Sequence, residues 1–236
     1  MTLDQIANQV CTKVHDTSSG AVAAAKTFAK NRYEMIWNSQ VWKDSLATTS
    51  VAVSADDSIV TIPSTSFDMP VAVKLDTTAI SPANYESAFV NSPESFTGSG
   101  TTAAFVILAK NDSGQIRLQL LKAAGQSGTL SVLCKTKVRV INSGVSNYRS
   151  LEQDSDQPAI PHAEQALVAL VEADMLEYKQ ANAKAQAKQS EALTLLALAR
   201  NMERGQSASR LSISVESDGQ WQRDDWESGD SQIQFI

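Results

Sequence analysis

Two histidines, two cysteines and a few neighbouring carboxylates are what this 236-residue chain offers to catalysis. His15 and His162 each lie at the margin of a helical pattern. A metal centre needs three or four converging ligands, and the pair His162-x-Glu164 supplies two at a common spacing. A surface histidine in a helix-terminal turn is the simpler reading of both. Cys11 falls on the apolar side of a helical pattern and Cys134 within a strand pattern, which suits buried, inert thiols. No GxSxG elbow, strand-linked GxGxxG or P-loop is present. Gly98-Ser99-Gly100 reads as a plain loop. Asp56-Asp57 and Asp224-Asp225 are adjacent pairs, which a strand would send to opposite faces, so a turn and a tail account for them better. The residues point away from an enzyme, and no cofactor or metal is expected.

Two features suit binding instead. Lys135, Lys137 and Arg139 recur at spacing two, which would set a basic stripe on one face of a strand. A solvated outer face explains such a stripe most simply, with an acidic protein partner as the next reading. The last 21 residues hold Trp221 and Trp226, end in Ile233-Gln234-Phe235-Ile236, and carry six acids against one base. Such a segment cannot bury its own rings. Tryptophan is enriched at binding hot spots, so Trp221, Trp226, Ile233, Phe235 and Ile236 are read as anchors for a partner's pockets.

The composition agrees with a binding role. The formal net charge is −6, of which −5 lies from Glu216 onward, leaving the preceding 215 residues nearly neutral. A general nucleic-acid binder would concentrate the opposite sign. An apolar share of 42% permits a buried core. No apolar run approaches the ~20 residues of a membrane span, and the opening MTLDQIANQV has no signal-peptide core. Two cysteines without an export signal imply free thiols in a reducing compartment.

The elements that must carry these features follow from hydrophobic period. Leu3, Ile6, Ala7, Val10 and Val14 predict a short helix, and Val22, Ala25, Phe28, Ala29, Tyr33, Ile36 and Trp37 a second one to about Asn38. Ser19 is its expected cap, with Lys26, Lys30, Arg32 and Glu34 facing water. The period then changes to two. Strands are expected at 50–53, 58–62, 69–75, 103–110, 115–120 and 129–141, with a short helix opened by Ser81-Pro82 and a hairpin turn at 111–114. Residues 142–157 read as a polar loop. Pro158-Ala159-Ile160-Pro161 opens a second helical region that breaks near Gln180–Asn182 and stops at Gly205. The expected fold is therefore α+β. An α-helical bundle of N-terminal (1–44) and C-terminal (143–208) helices carries an inserted antiparallel β-domain (45–142), and an extended arm follows (209–236).

The segment Arg32-Tyr33-Glu34-Met35-Ile36-Trp37-Asn38 resembles the "aY.diw" pattern of head–tail adaptor (connector) proteins of tailed bacteriophages. Pro158–Leu170 resembles their "P.iP....alv" pattern. Met175 to Gln206, with Tyr178-Lys179 and Arg200…Arg204-Gly205-Gln206, is similar to their last helix. The resemblance implies a structural virion protein of the phage neck, made in the host cytoplasm, with no catalysis. It implies a homo-oligomeric ring, a dodecamer, between the portal protein and the tail or nozzle proteins below. Viral DNA would pass through the lumen without sequence-specific binding, no membrane would be involved, and the C-terminal arm would dock to the portal. The chain departs from commoner members in its larger β-insertion and its Gly-poor strands. The alternative is a soluble binding module outside a virion that shares only the architecture.

Overall fold

The structure is a computed structural model and describes residues 1–54, 57–91, 99–100, 104–121, 123–124 and 127–205. It divides into two compact units. Among the described residues the first comprises Met1–Asp4 and those from Tyr33 to Ile160; the second comprises Gln5–Arg32 and those from Pro161 to Gly205. Both N-terminal helices, α1 (Leu3–Lys13) and α2 (Ser19–Asn38), therefore have residues in each.

The first unit is built on a seven-stranded sheet. Its strands are β1 (Leu46–Val53), β2 (Ile59–Thr61), β3 (Phe67–Leu75), β4 (Thr78–Pro82), β6 (Ala104–Leu108), β7 (Arg117–Leu121) and β9 (Gly128–Thr136). The spatial order is β1-β9-β3-β4-β6-β7-β2, antiparallel throughout except for a short parallel pairing of β4 with β6. The helix α3 (Tyr85–Asn91) follows β4. The two-residue strands β5 (Ser99–Gly100) and β8 (Ala123–Ala124) pair with each other. A small third sheet joins β10 (Val140–Asn142), β11 (Val145–Asn147) and β12 (Gln157–Pro158).

Alternation along these strands creates the core. Leu130, Val132 and Cys134 of β9 point to the same side as Val73, Ile80, Phe105, Leu118 and Leu120, and all are buried. Pro70 lacks an N–H to give to the ladder, and it sits beside a register shift in β3 that tolerates this loss. The β3–β4 turn folds back on Gly128: Asp76 accepts from Thr129 N at 2.8 Å, and a Cβ on Gly128 would lie 2.7 Å from the Asp76 carboxylate. Only glycine leaves that approach open.

The expectation of an α-helical bundle with a small inserted antiparallel β-domain does not hold. The larger unit is the sheet structure, and the last turns of α2 belong to it through Tyr33, Ile36 and Trp37, all at most 1% exposed. A hydrophobic period shows that a helix has an apolar face but not what covers it: α2 belongs to the helical unit up to Arg32 and to the sheet unit from Tyr33. The long strand expected over 129–141 is also corrected: β9 ends at Thr136, and Val140 starts a strand of another sheet. Ser81-Pro82 closes β4 rather than opening a helix. Residues 142–157 include β11 and meet β12, so they are not a bare loop.

The second unit is helical. α4 (Glu164–Tyr178) is buried from Ala166 through Ala173, and α5 (Asn182–Gly205) follows a break at Gln180, whose φ is +60°. In this unit Ser18, not Ser19, caps α2: its Oγ accepts from Ala21 N at 3.3 Å.

Candidate functional site

The anchors expected in the C-terminal arm, Trp221, Trp226, Ile233, Phe235 and Ile236, all lie outside the described residues. The basic triplet is described, and it is not a stripe. Lys135 is 5% exposed within β9, Lys137 is exposed beyond the end of the strand, and Arg139 turns inward to donate to Asp44 O at 2.6 Å. Spacing two makes a stripe only while the strand continues, and this one stops at Thr136.

His15 occupies a left-handed turn residue with φ of +53°, and His162 is exposed in a short helical turn at Pro161–Ala163. Among the described residues no three histidine, cysteine or acidic side chains converge as a metal set would. Cys11 and Cys134 are free and fully buried. Burial pushes the Cys134 thiol up to about 11, and burial together with nearby Asp16 raises that of Cys11.

What the first unit does assemble is a joint between two of the three segments that carry the family resemblance. Tyr33 is 1% exposed, and its hydroxyl donates to Arg139 O while accepting from Ala159 N at 3.0 Å. Burial pushes this hydroxyl well above the usual tyrosine range, so it stays a donor at any physiological pH. Trp37 Nε1 donates to Thr136 O at 3.2 Å, and its ring meets Tyr33 edge-on at 6.0 Å. Trp42 Nε1 donates to Ile36 O at 2.8 Å, and Ser45 closes the turn below it. Large rings with one polar atom each are thus buried with that atom satisfied, which fixes the exit of α2 against the entry to the 158–161 segment.

Asp156 organises the neighbouring 142–156 segment. Its carboxylate is fully buried and takes Asn142 Nδ2 at 2.7 Å, Arg149 Nη2 at 2.6 Å, Glu152 N at 2.9 Å and Gln153 N at 2.8 Å. Burial pushes this carboxyl up, but the two backbone N–H groups, Asn142 and the Arg149 charge outweigh it and hold it below the usual range. It is the last of three acids, Glu152, Asp154 and Asp156, in a stretch that reads as a polar loop, and no pattern in the sequence singles it out.

In the second unit α4 is the hub of an ion-pair set. Arg32, expected to face water, forks onto Asp174 at 2.7 and 2.5 Å. Glu172, 8% exposed, pairs with Lys13 at 3.3 Å and Lys188 at 3.4 Å. Charged residues on each helix thereby set α1, α2 and α5 around one buried helix. Among its described side chains α5 is buried along Ala185, Ala192, Leu196, Ala199 and Glu203, while Leu193, Leu198 and Met202 are all more than half exposed. Among the described residues no helix is long and apolar enough to cross a membrane. No protein-family model matches this chain, and no curated protein matches it.

Proposed function

We propose that the protein is a head–tail adaptor of a tailed bacteriophage, a structural ring component of the virion neck with no catalytic role. The observation that carries this reading is the Tyr33 joint. Two segments that resemble adaptor patterns, 126 positions apart in the chain, meet there through the Tyr33–Ala159 bond.

The surface of α5 suits the ring. A 24-residue helix whose small buried residues form one narrow line keeps most of its circumference for neighbours. The exposed Leu193, Leu198 and Met202 would be covered by the adjacent copy in a dodecamer. Portal docking falls to the arm, with Trp221 and Trp226 filling pockets and Ile233, Phe235 and Ile236 adding a terminal anchor. The arm's acids would face basic portal residues, steering encounter and making it salt-sensitive. Viral DNA would pass through the lumen, and tail or nozzle proteins would seat below.

Capture on a portal ring tests this. The full chain is expected to bind, and a chain ending at residue 208 or carrying Trp221→Ala with Trp226→Ala is expected to lose most of that binding. Equal capture of the full and shortened chains would defeat the docking role, and electron microscopy showing no closed ring on the portal would defeat the adaptor reading.

A further inference from the structure

The outer edge of β1 is an unguarded strand edge. Proteins blunt such edges with short strands, lysine, proline or bulges. β1 has none of these: Leu46-Ala47-Thr48-Thr49-Ser50-Val51-Ala52-Val53 is eight residues long, uncharged and regularly paired with β9 from Leu46↔Lys135 to Val53↔Gly128. Among the described residues no backbone hydrogen bond reaches β1 from its other side. The opposite end of the sheet order, β2, is three residues long and could not flank its length.

The two faces of β1 specify what would fit beside it. Ala47 and Val51 pack only partly buried against the core, and both are small for core positions. Thr48, Ser50 and Ala52 face water, and Ser50 already meets the Ser131 hydroxyl across the pair at 3.4 Å. A complementary strand would place larger aliphatics beside Ala47, Thr49 and Val51, and hydroxyls beside Thr48 and Ser50.

One segment of this chain has that pattern. Shortly after Gly205 the sequence reads Leu211-Ser212-Ile213-Ser214-Val215, large aliphatics alternating with serines and containing neither proline nor charge. We infer that residues 211–215 of one copy add as a strand to the β1 edge of the neighbouring copy. This rests on the ring reading and deepens it. The join is head-to-tail, which is the kind that closes rings. Six residues from Gly205 reach at most about 20 Å, which sets how near the β1 edge must lie to the end of the donor's α5. The remaining 21 residues, which carry the acids and tryptophans, stay available to the portal. The arm thus has two parts with different partners, a serine–aliphatic strand for its own kind and an acidic aromatic end for the portal.

Hydrogen exchange read by mass spectrometry on the full chain, with light scattering on the same samples, tests the strand. The series would run from dilute solution to concentrations of about 100 μM, where a specific contact between copies populates. Wild type is compared with Ile213→Asp, which puts a charge on the inward face of the strand, and with Ile233→Asp as a control in the portal-facing part. Peptides covering 46–53 should exchange about tenfold more slowly in wild type and Ile233→Asp than in Ile213→Asp. That protection should rise with concentration together with the mass. Equal exchange in all three chains overturns the proposal. Protection in single-copy samples, unchanged on dilution, overturns it too, because the donor is then the chain's own tail. Rings that persist in Ile213→Asp with β1 unprotected overturn the strand exchange and leave the ring reading standing.

Discussion

Replacing Asp156 by asparagine changes one oxygen for an NH₂ group and should unsettle the whole 142–156 segment. The carboxylate accepts four hydrogen bonds, two at each oxygen, while the amide has one oxygen. If that oxygen keeps Glu152 N and Gln153 N, the NH₂ group faces Asn142 Nδ2 and Arg149 Nη2, donor against donor. If it turns over, two backbone N–H groups are orphaned instead. The first arrangement costs less. Asn142 has other acceptors at 2.9 Å in Gln153 and Ser155, and Arg149, with a quarter of its side chain exposed, can turn to water. An unsatisfied buried donor costs about 1–3 kcal/mol and loss of one partner of a buried pair about 3–5. With those escapes the expected loss is about 2–4 kcal/mol, a large part of the ~5–15 kcal/mol of a typical domain.

The pH dependence provides an independent check on the cause. The Asp156 carboxyl is held below the ordinary range, so its contribution is complete above the unfolded carboxylate pKa of ~3.9 and is lost as pH falls through the lower folded value. The stability gap between wild type and Asp156→Asn should therefore be constant from neutrality to about pH 5 and close below about pH 4. Urea unfolding followed by circular dichroism measures it, with an unchanged urea slope showing that only stability moved. A loss under about 0.5 kcal/mol at neutral pH, the range of an ordinary surface substitution, would refute the hub reasoning. So would a gap that persists unchanged in acid.

Two further outcomes follow from the buried polar atoms. Tyr33→Phe keeps the ring against Trp37 but deprives Ala159 N of its acceptor and Arg139 O of a donor; it should cost about 1–3 kcal/mol, and thermal melting within a degree of wild type would speak against the joint. Because burial raises both thiols, Cys11 and Cys134 should react with iodoacetamide at pH 8 about a hundredfold more slowly in the folded chain than in urea. Labelling of either at the unfolded rate would mean that its site opens readily.

Period and turn chemistry located the helices and most of the strands, because those signals are local. α1 and α2 lie where the apolar stripes put them, and the break before α5 falls where Gln180 takes a left-handed conformation. What the sequence could not show is which surface an apolar stripe meets. Tyr33, Ile36 and Trp37 continue the stripe of α2 without interruption, yet they are packed in the sheet unit while the preceding turns belong to the helical one. Lys135 and Arg139 show the same limit for charge. Their spacing has the period of an exposed face, but one is buried and the other spends its guanidinium on Asp44 O after the strand has ended. Asp156 was hidden for the opposite reason, since its partners come from Asn142, Arg149 and the backbone, and nothing in an acidic run marks which member will be enclosed.

The candidate interaction features divide along the same line. β1 reads in the sequence as an ordinary strand, and only the sheet order shows that its outer edge has no neighbour among the described residues. The alternation of Leu211, Ile213 and Val215 with serines is plain in the sequence but has no meaning until such an edge exists. A strand with no second neighbour among the described residues leaves main-chain donors and acceptors to be partnered, and a segment of strand pattern is what partners such an edge. Joining one to the other would give the inner side of the segment and five residues of the β1 edge main-chain partners, and in a ring it would do so once per copy.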